Sequence, residues 1–452
     1  MPSDVRQIAL SVLQTLDQGR HTLDDIMDHT LVEQAALDRR DRALLNALVF
    51  GAVRWRSRLD WIIAYFSKTR LAKIDPPVLN ILRLGLFQIV FMDRIPPSAA
   101  VNTSAELAKP YGGRWVVGFV NGLLRNAARN YTQVPFPDPV KDPVMALAAQ
   151  KAFPPWLIKR WLSRFGRQTT AALCDACNTI PPLSVRANTL KTSRRRLHAA
   201  LKDQVDNIDR MVHAPDGLAI TAPKTALSAL KPFVQGWFQV QDEAAQLISL
   251  LVDPHPGDRV LDACAGLGGK TGHLAQIMQN QGRILAVDRQ TAKLERLADA
   301  MQRLGVSIVQ PTAADLSQSP TALKKGSFDR ILLDAPCSGL GVIRRNPDIK
   351  WVLSKKDLKY YNTRQLKLLD NLAPLVNPSG VLVYTVCSME PEENEAVVQT
   401  FLQNHPEYRL VGPGAPHAWA AGALLDAQGY FKSLPHRDKM DGFFAARLAK
   451  LA

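Results

Sequence analysis

Between Val5 and about Arg129, apolar side chains recur every three or four positions: Ile8, Val12, Leu13 and Leu16, then Leu44, Leu45, Leu48, Val49 and Val53, then Val78, Leu79, Leu82, Leu86 and Ile89. That spacing draws one apolar stripe along each of several helices, and little in the stretch alternates with period two. Pro76-Pro77 and Pro96-Pro97 stand where helices should begin, because the first turn leaves unused the amide hydrogen that proline lacks. Residues 1–140 are therefore expected to form an all-helical domain. Four prolines between Tyr131 and Pro143 stiffen the chain and predict a boundary near 140.

The pattern then becomes mixed. Helical spacing around 155–165 and 169–178 precedes a strand-like run from Leu183 to Leu190, a basic helix from Arg194 and a short apolar run at Gly217 to Ile220. These predict a small α+β domain over 141–235. From Phe238 onward short apolar strands alternate with helical stretches, with strands expected at Arg259–Cys264, Gly282–Asp288, Phe328–Asp334 and Gly380–Val386. Such alternation predicts a third domain, 236–452, of α/β class with a mostly parallel sheet and ligands beyond the carboxyl ends of its strands.

Composition narrows the class. With 452 residues, 46% of them hydrophobic and 21% charged, the chain is neither disordered nor a disulfide-stapled miniprotein. The net charge of +15 is uneven: residues 141–240 carry +9, against +4 before them and +2 after. A folded module with a positive face suits nucleic acid or an anionic surface. Five cysteines without framework spacing predict a reducing compartment. With no signal-like start and no apolar run of membrane-spanning length, the expected location is cytoplasmic and off the membrane.

The candidate chemistry sits at the strand ends. Asp262-Ala-Cys-Ala-Gly-Leu-Gly-Gly-Lys-Thr271 follows a strand and opens a helix, and its glycines let backbone approach a ligand. The spacing is neither that of a dinucleotide fingerprint nor that of a P-loop. Asp288, Asp315 and Asp334 add carboxylates near successive strand ends. Together they suit a ligand with a ribose, an adenine amine and a cationic amino acid part better than a dinucleotide, although an aspartate there can also simply cap a helix. Asp334-Ala-Pro-Cys-Ser-Gly339 and Thr385-Val-Cys-Ser388 bring two cysteines to the same edge. Carbon 5 of a pyrimidine becomes nucleophilic only after a thiolate adds to carbon 6, so a thiol here is chemically useful. Cys174 and Cys177 on a helix, and Cys264 in the glycine loop, read as core residues, and no second ligand pair argues for metal.

These motifs, with Val185-Arg-Ala-Asn-Thr-Leu-Lys191, Phe238-Gln-Val-Gln-Asp-Glu-Ala-Ala-Gln246 and Asp441-Gly-Phe-Phe444, resemble the Sun family of RNA cytosine-C5 methyltransferases. The front end, with Arg42-Ala-Leu-Leu-Asn-Ala-Leu-Val-Phe-Gly-Ala-Val-Arg54 and Leu79-Asn-Ile-Leu-Arg-Leu-Gly-Leu-Phe-Gln88, resembles a NusB domain. The resemblance covers nearly the whole chain and implies a Rossmann-like catalytic domain and a monomer acting on 16S ribosomal RNA. It further implies that S-adenosylmethionine is held by Cys264, Ala265, Gly266, Leu267, Gly268, Gly269, Lys270, Asp288, Asp315 and Asp334. Cys387 would be the nucleophile, Cys337 would assist product release, and Asp334 would serve as base or position the cofactor. The family usually carries Ala-Pro where this chain has Gly266-Leu267, which would make the loop more flexible.

RNA contacts are expected in two places. Residues 344–367 carry a net +6 with Trp351, Tyr360 and Tyr361 interleaved, so Arg344, Arg345, Lys355 and Lys356 are candidate phosphate contacts beside rings that can stack on bases. Arg186, Arg194 and Arg195 are the candidates in the middle domain. Competing classes are a non-catalytic RNA-binding protein, which needs neither cysteine motif, and an amine methyltransferase, which needs no thiol.

Overall fold

In a computed structural model, which describes residues 4–318, 323–412 and 424–451, the chain forms two compact units. One comprises residues 1–179 and 343–353, the other 180–342 and 354–452. In this two-unit division residues 143–178 go with the helices before them.

The first unit is helical: α1 (Val5–Asp17), α2 (Leu23–Glu33), α3 (Arg39–Arg54), α4 (Arg56–Phe66), α5 (Pro76–Phe91), α6 (Pro97–Ala108), α7 (Gly113–Asn130), α8 (Pro143–Lys151) and α9 (Pro155–Asn178). Prolines open α5 and α6, and the side chains of Asp4, Thr22 and Asp38 accept amide hydrogens that α1, α2 and α3 would otherwise leave unpaired. The apolar stripes meet in one core that includes Leu10, Leu45, Leu48, Ile81 and Leu124. The proline-rich stretch packs here as well: the Trp61 indole donates to the Pro135 carbonyl and its ring stacks on Phe136. Helix α8 is tied to α4 by the Ser57 hydroxyl, which donates to Ala148 O. At Gly166, with φ of +73°, α9 breaks into the two pieces read from the sequence.

Residues 343–353 complete this unit, with the short α15 (Ile349–Val352) at their centre. Lys350 is buried, and its Nζ donates to the carbonyls of Arg54 (2.9 Å) and Ala152 (3.0 Å) and to Asn178 Oδ1 (2.8 Å). The ammonium also stands 4.0 Å from the centre of the Phe153 ring. Trp351 donates its indole N–H to Val53 O, and Asp348 accepts the Leu23 amide.

The second unit holds two sheets. Strands β1 (Leu183–Ala187), β2 (Val205–Arg210), β3 (Gly217–Pro223) and β4 (Phe238–Val240) form an antiparallel sheet ordered β2-β3-β1-β4, accompanied by α10 (Arg194–Leu201) and α11 (Lys231–Val234). The larger sheet contains β5 (Arg259–Ala263), β6 (Arg283–Asp288), β7 (Val309–Ala313), β8 (Phe328–Asp334), β9 (Val376–Val386), β10 (Tyr408–Leu410), β11 (Phe431–Ser433) and β12 (Phe443–Lys450). Its order is β10-β12-β9-β8-β5-β6-β7, with β11 on β12; β5 to β9 run parallel and the remaining pairs antiparallel. Helices α12 (Glu243–Val252), α13 (Gly269–Ile277), α14 (Thr291–Leu304), α16 (Lys355–Leu372) and α17 (Glu395–Asn404) accompany these strands. The winding reverses between β5 and β8, and at such a reversal the loops diverge and leave a crevice at the carboxyl edge.

Candidate functional site

The crevice is built by the turn from β5 into α13. Cys264 has φ of +68°, a left-handed conformation that costs energy for a residue with a side chain. Its thiol is pushed up to about 12 by burial and by the charges of Asp334 and Asp288, so it stays protonated. Gly268, with φ of +80°, could not carry a Cβ without meeting Leu297 Cγ at 2.7 Å. Asp288, at the end of β6, accepts the Gly266 amide on one oxygen (3.0 Å) and the Gln290 amide on the other (2.9 Å). Asp315 lies two residues beyond β7, where hydrogen bonds from Ser317 hold its carboxyl below the usual range. Both carboxylates line a cavity of about 190 Å³ whose wall also includes Cys264, Pro336 and Arg364. Leu267, at the tip of the turn, is exposed.

The thiols follow from strand register. Asp334 on β8 lies opposite Thr385 on β9, and the Ala335 amide donates to Thr385 O, so both chains leave the sheet side by side. Cys337 and Cys387 then come to 3.3 Å between sulfurs, each partly exposed. The hydrogen bond with Cys387, together with burial, pushes the Cys337 thiol well up. Lys270, from the first turn of α13, bonds Asp334 at 2.5 Å and sits 5.3 Å from the Phe443 ring centre. Burial alone would lower the Lys270 pKa, but Asp334, Cys387 and Asp262 outweigh it and the net direction is upward. One positive charge therefore stands beside the thiols. Gly341 and Gly442 account for the Asp441-Gly-Phe-Phe444 motif: a Cβ on Gly341 would collide with the Gly442 carbonyl, and the Gly341 amide donates to Cys387 O.

Below the thiols lies a residue that the sequence reading missed. Glu393 is buried and accepts the Ser338 amide (2.8 Å), the hydroxyls of Ser338 and Ser388, and the Gln365 amide (3.2 Å). Its only signal was the run Glu390-Pro-Glu-Glu-Asn-Glu395 just after the second cysteine motif.

The cations divide differently from expectation. Arg186 is not a surface contact: 1% exposed, it donates to Gln241, to Gln276 Oε1 (3.2 Å) and to Gly269 O (3.1 Å), bracing the start of α13. Arg344 is likewise buried, at 5% exposure, inside the helical unit, and Arg345 beside it is half-buried. The +6 stretch is therefore not one surface, because its first part folds with the helices while Lys355 and Lys356 open α16 in the second unit and are exposed. Arg195 is exposed on α10, and Arg194 beside it donates to Ala214 O. Among the described residues no group of three or more His, Cys, Asp or Glu could hold a metal ion, and no helix is long and apolar enough to cross a membrane.

Known proteins match this architecture along its whole length. The probable ribosomal RNA small subunit methyltransferase B of Synechocystis is 36% identical over 98% of this chain and 99% of its own. The model of the family 16S rRNA methyltransferase RsmB/F matches residues 249–449. The chain belongs to the RsmB/F family. The NusB family model covers residues 3–129 of this RsmB/F chain, and the ferredoxin-like domain of RsmF/B-like methyltransferases covers 153–226. Ribosomal RNA small subunit methyltransferase B of Pseudomonas syringae is 34% identical over 99% of this chain and 97% of its own. The crystal structure of PH0851 superposes with a TM-score of 0.82 at 28% identity, covering 100% of this chain and 99% of that one. A methyltransferase homologue from Pyrococcus horikoshii superposes with a TM-score of 0.58 at 28% identity, covering 68% of this chain and 99% of that one. As an RsmB/F member with a NusB-like helical domain and a mostly parallel catalytic sheet, the protein is a ribosomal RNA methyltransferase.

Proposed function

We propose that the protein methylates carbon 5 of a cytosine in 16S ribosomal RNA through a covalent adduct on Cys387. The observation that carries this reading is the pair of thiols 3.3 Å apart at the edge where Lys270 and Asp334 meet. Neither amine methylation nor plain RNA binding has a use for such a pair.

The crevice fits S-adenosylmethionine. Asp288 and Asp315 face the cavity with lone pairs left for ribose hydroxyls and an adenine amine, and the turn from Cys264 to Lys270 is narrowed by glycine so that backbone can approach. Asp334 supplies a carboxylate on the thiol side. Bound there, the cofactor supplies an electrophilic methyl group.

The remaining steps belong to the chain. The thiolate of Cys387 adds to carbon 6 of the cytosine beside the Lys270 ammonium and moves the ring electrons towards carbon 5. The Asp334 carboxylate, fixed by Lys270, can accept from the exocyclic amine and so orient the ring. After transfer, a base removes the carbon 5 proton, and the returning electron pair expels Cys387 as thiolate. Cys337, held as a thiol beside it, assists that release. Lys355, Lys356, Arg194 and Arg195 are the candidate phosphate contacts.

Purified Cys387→Ala should give no methyl transfer, and turnover at the native rate would sink the nucleophile assignment. Cys337→Ala should instead accumulate a covalent protein–RNA band on a denaturing gel. A band seen only when Cys387 is absent would reverse the two roles.

A further inference from the structure

The residues that follow the two cysteines share one buried partner. Ser338 and Ser388 both turn their hydroxyls down onto Glu393 Oε2, and their oxygens stand 3.3 Å apart, the same separation as the sulfurs above them. Glu393 Oε1 accepts the Ser338 amide and the Gln365 side chain, while Gln365 also donates to Pro336 O, one residue before Cys337. The glutamate is itself fixed, because its own carbonyl accepts the Tyr384 hydroxyl at 2.6 Å from inside β9. One carboxylate thus fastens the loops after β8 and β9 to each other at the level just beneath the thiols.

We propose that Glu393 is a positioning residue for methyl transfer: by accepting hydrogen bonds from both cysteine loops at once, it sets the approach of Cys337 to Cys387. Parallel strands alone bring two loops only to within about 5 Å of each other. A reaction that uses one thiol to attack and its neighbour to release tolerates little error, since misplacement by about 1 Å can cost about a hundredfold in rate. The carboxylate also has a charge to lend. The hydrogen bond to Cys387 and burial raise the Cys337 thiol, and this charge adds to them in favouring a proton on Cys337, while Lys270 is paired to Asp334. Burial raises the Glu393 carboxyl itself, and the hydroxyl and amide donors oppose that rise.

The proposal rests on the two-thiol reading above, so its test includes a measurement that needs no methyl transfer. In the full-length protein, diamide accepts two electrons and two protons from a facing thiol pair and leaves a disulfide, scored by peptide mass mapping. The native protein should close Cys337 to Cys387 readily. Glu393→Gln, and separately Ser338→Ala with Ser388→Ala, should slow closure about tenfold and lower kcat about tenfold, with the KM for RNA changed less than about twofold. Glu393→Asp keeps the charge but is too short to span both serines, and it should not restore kcat. Native closure rate and native kcat in the double serine variant would overturn the proposal, as would a rise in KM with kcat unchanged. If Glu393→Gln does not fold, Ser388→Ala alone is read by the same two criteria. Failure of the Cys387→Ala test with slowed disulfide closure in the Glu393 variants would leave the positioning role standing and remove only the nucleophile.

Discussion

Asp262 keeps its carboxyl inside the sheet, with Oδ2 accepting the Thr271 hydroxyl at 2.6 Å and Oδ1 without a partner. Burial, with Asp334 and Asp288 nearby, raises its pKa to about 7 from an ordinary 3.8. The folded protein therefore binds this proton more tightly than the unfolded chain does. Its contribution to stability is complete below about pH 4 and is lost as the pH rises through 7. Asp262→Asn should remove that loss, narrowing the pH 5 to pH 8 stability difference by roughly 1 to 4 kcal/mol relative to native in urea unfolding. An unchanged difference would mean that the carboxyl is ionised throughout. At this scale the sequence was legible where residue type dictates chemistry: cysteines and aspartates at strand ends declared themselves. Arginines did not, because a guanidinium that reaches phosphate and one that braces a loop, as Arg186 does on Gly269, read alike. Glu393 was hidden for another reason, since one of its serine partners lies 55 residues away in the chain.

Among the elements, residues 343–353 make the sharpest departure from expectation. Lys350 donates three hydrogen bonds and covers the Phe153 ring, so Lys350→Met would fill much of the volume yet leave two carbonyls and an amide oxygen bare. The helical unit should lose roughly 2 to 4 kcal/mol, read as a lower urea midpoint for that unit, and a variant as stable as native would show that solvent reaches those oxygens. Periodicity exposed the long helices and the fully buried parallel strands, but not the edges of the sheets. Strand β2, Val-Asp-Asn-Ile-Asp-Arg, buries only its valine, so no alternation survives to be read. Strand β12 fails the other way: Phe443 to Leu448 are all buried, Arg447 included, so no alternation of apolar and polar positions marks it as a strand.

Across the molecule, the +15 charge divides into cations that face water and cations that hold the fold. Replacing Lys355 and Lys356 together by alanine should weaken RNA binding and flatten the slope of log affinity against log salt by about 1 to 2. Arg344→Ala should leave that slope alone and lower stability instead. A filter-binding titration at several salt concentrations separates the two, and an equal slope change in both variants would contradict the division. The broad plan of helical front, small α+β module and parallel sheet was legible in the hydrophobic pattern. The interrupted first unit was not, because its completing segment lies more than 160 residues further along the chain.

That interruption bears on how the protein is made. A nascent chain normally folds its leading domain as soon as it emerges. Here the leading helices lack Lys350 until it leaves the ribosome, by which time β5 to β8 have already been synthesised. Until then the oxygens of Arg54, Ala152 and Asn178 lack their donor, and a gene fragment cut at residue 179 would encode a domain that never receives it.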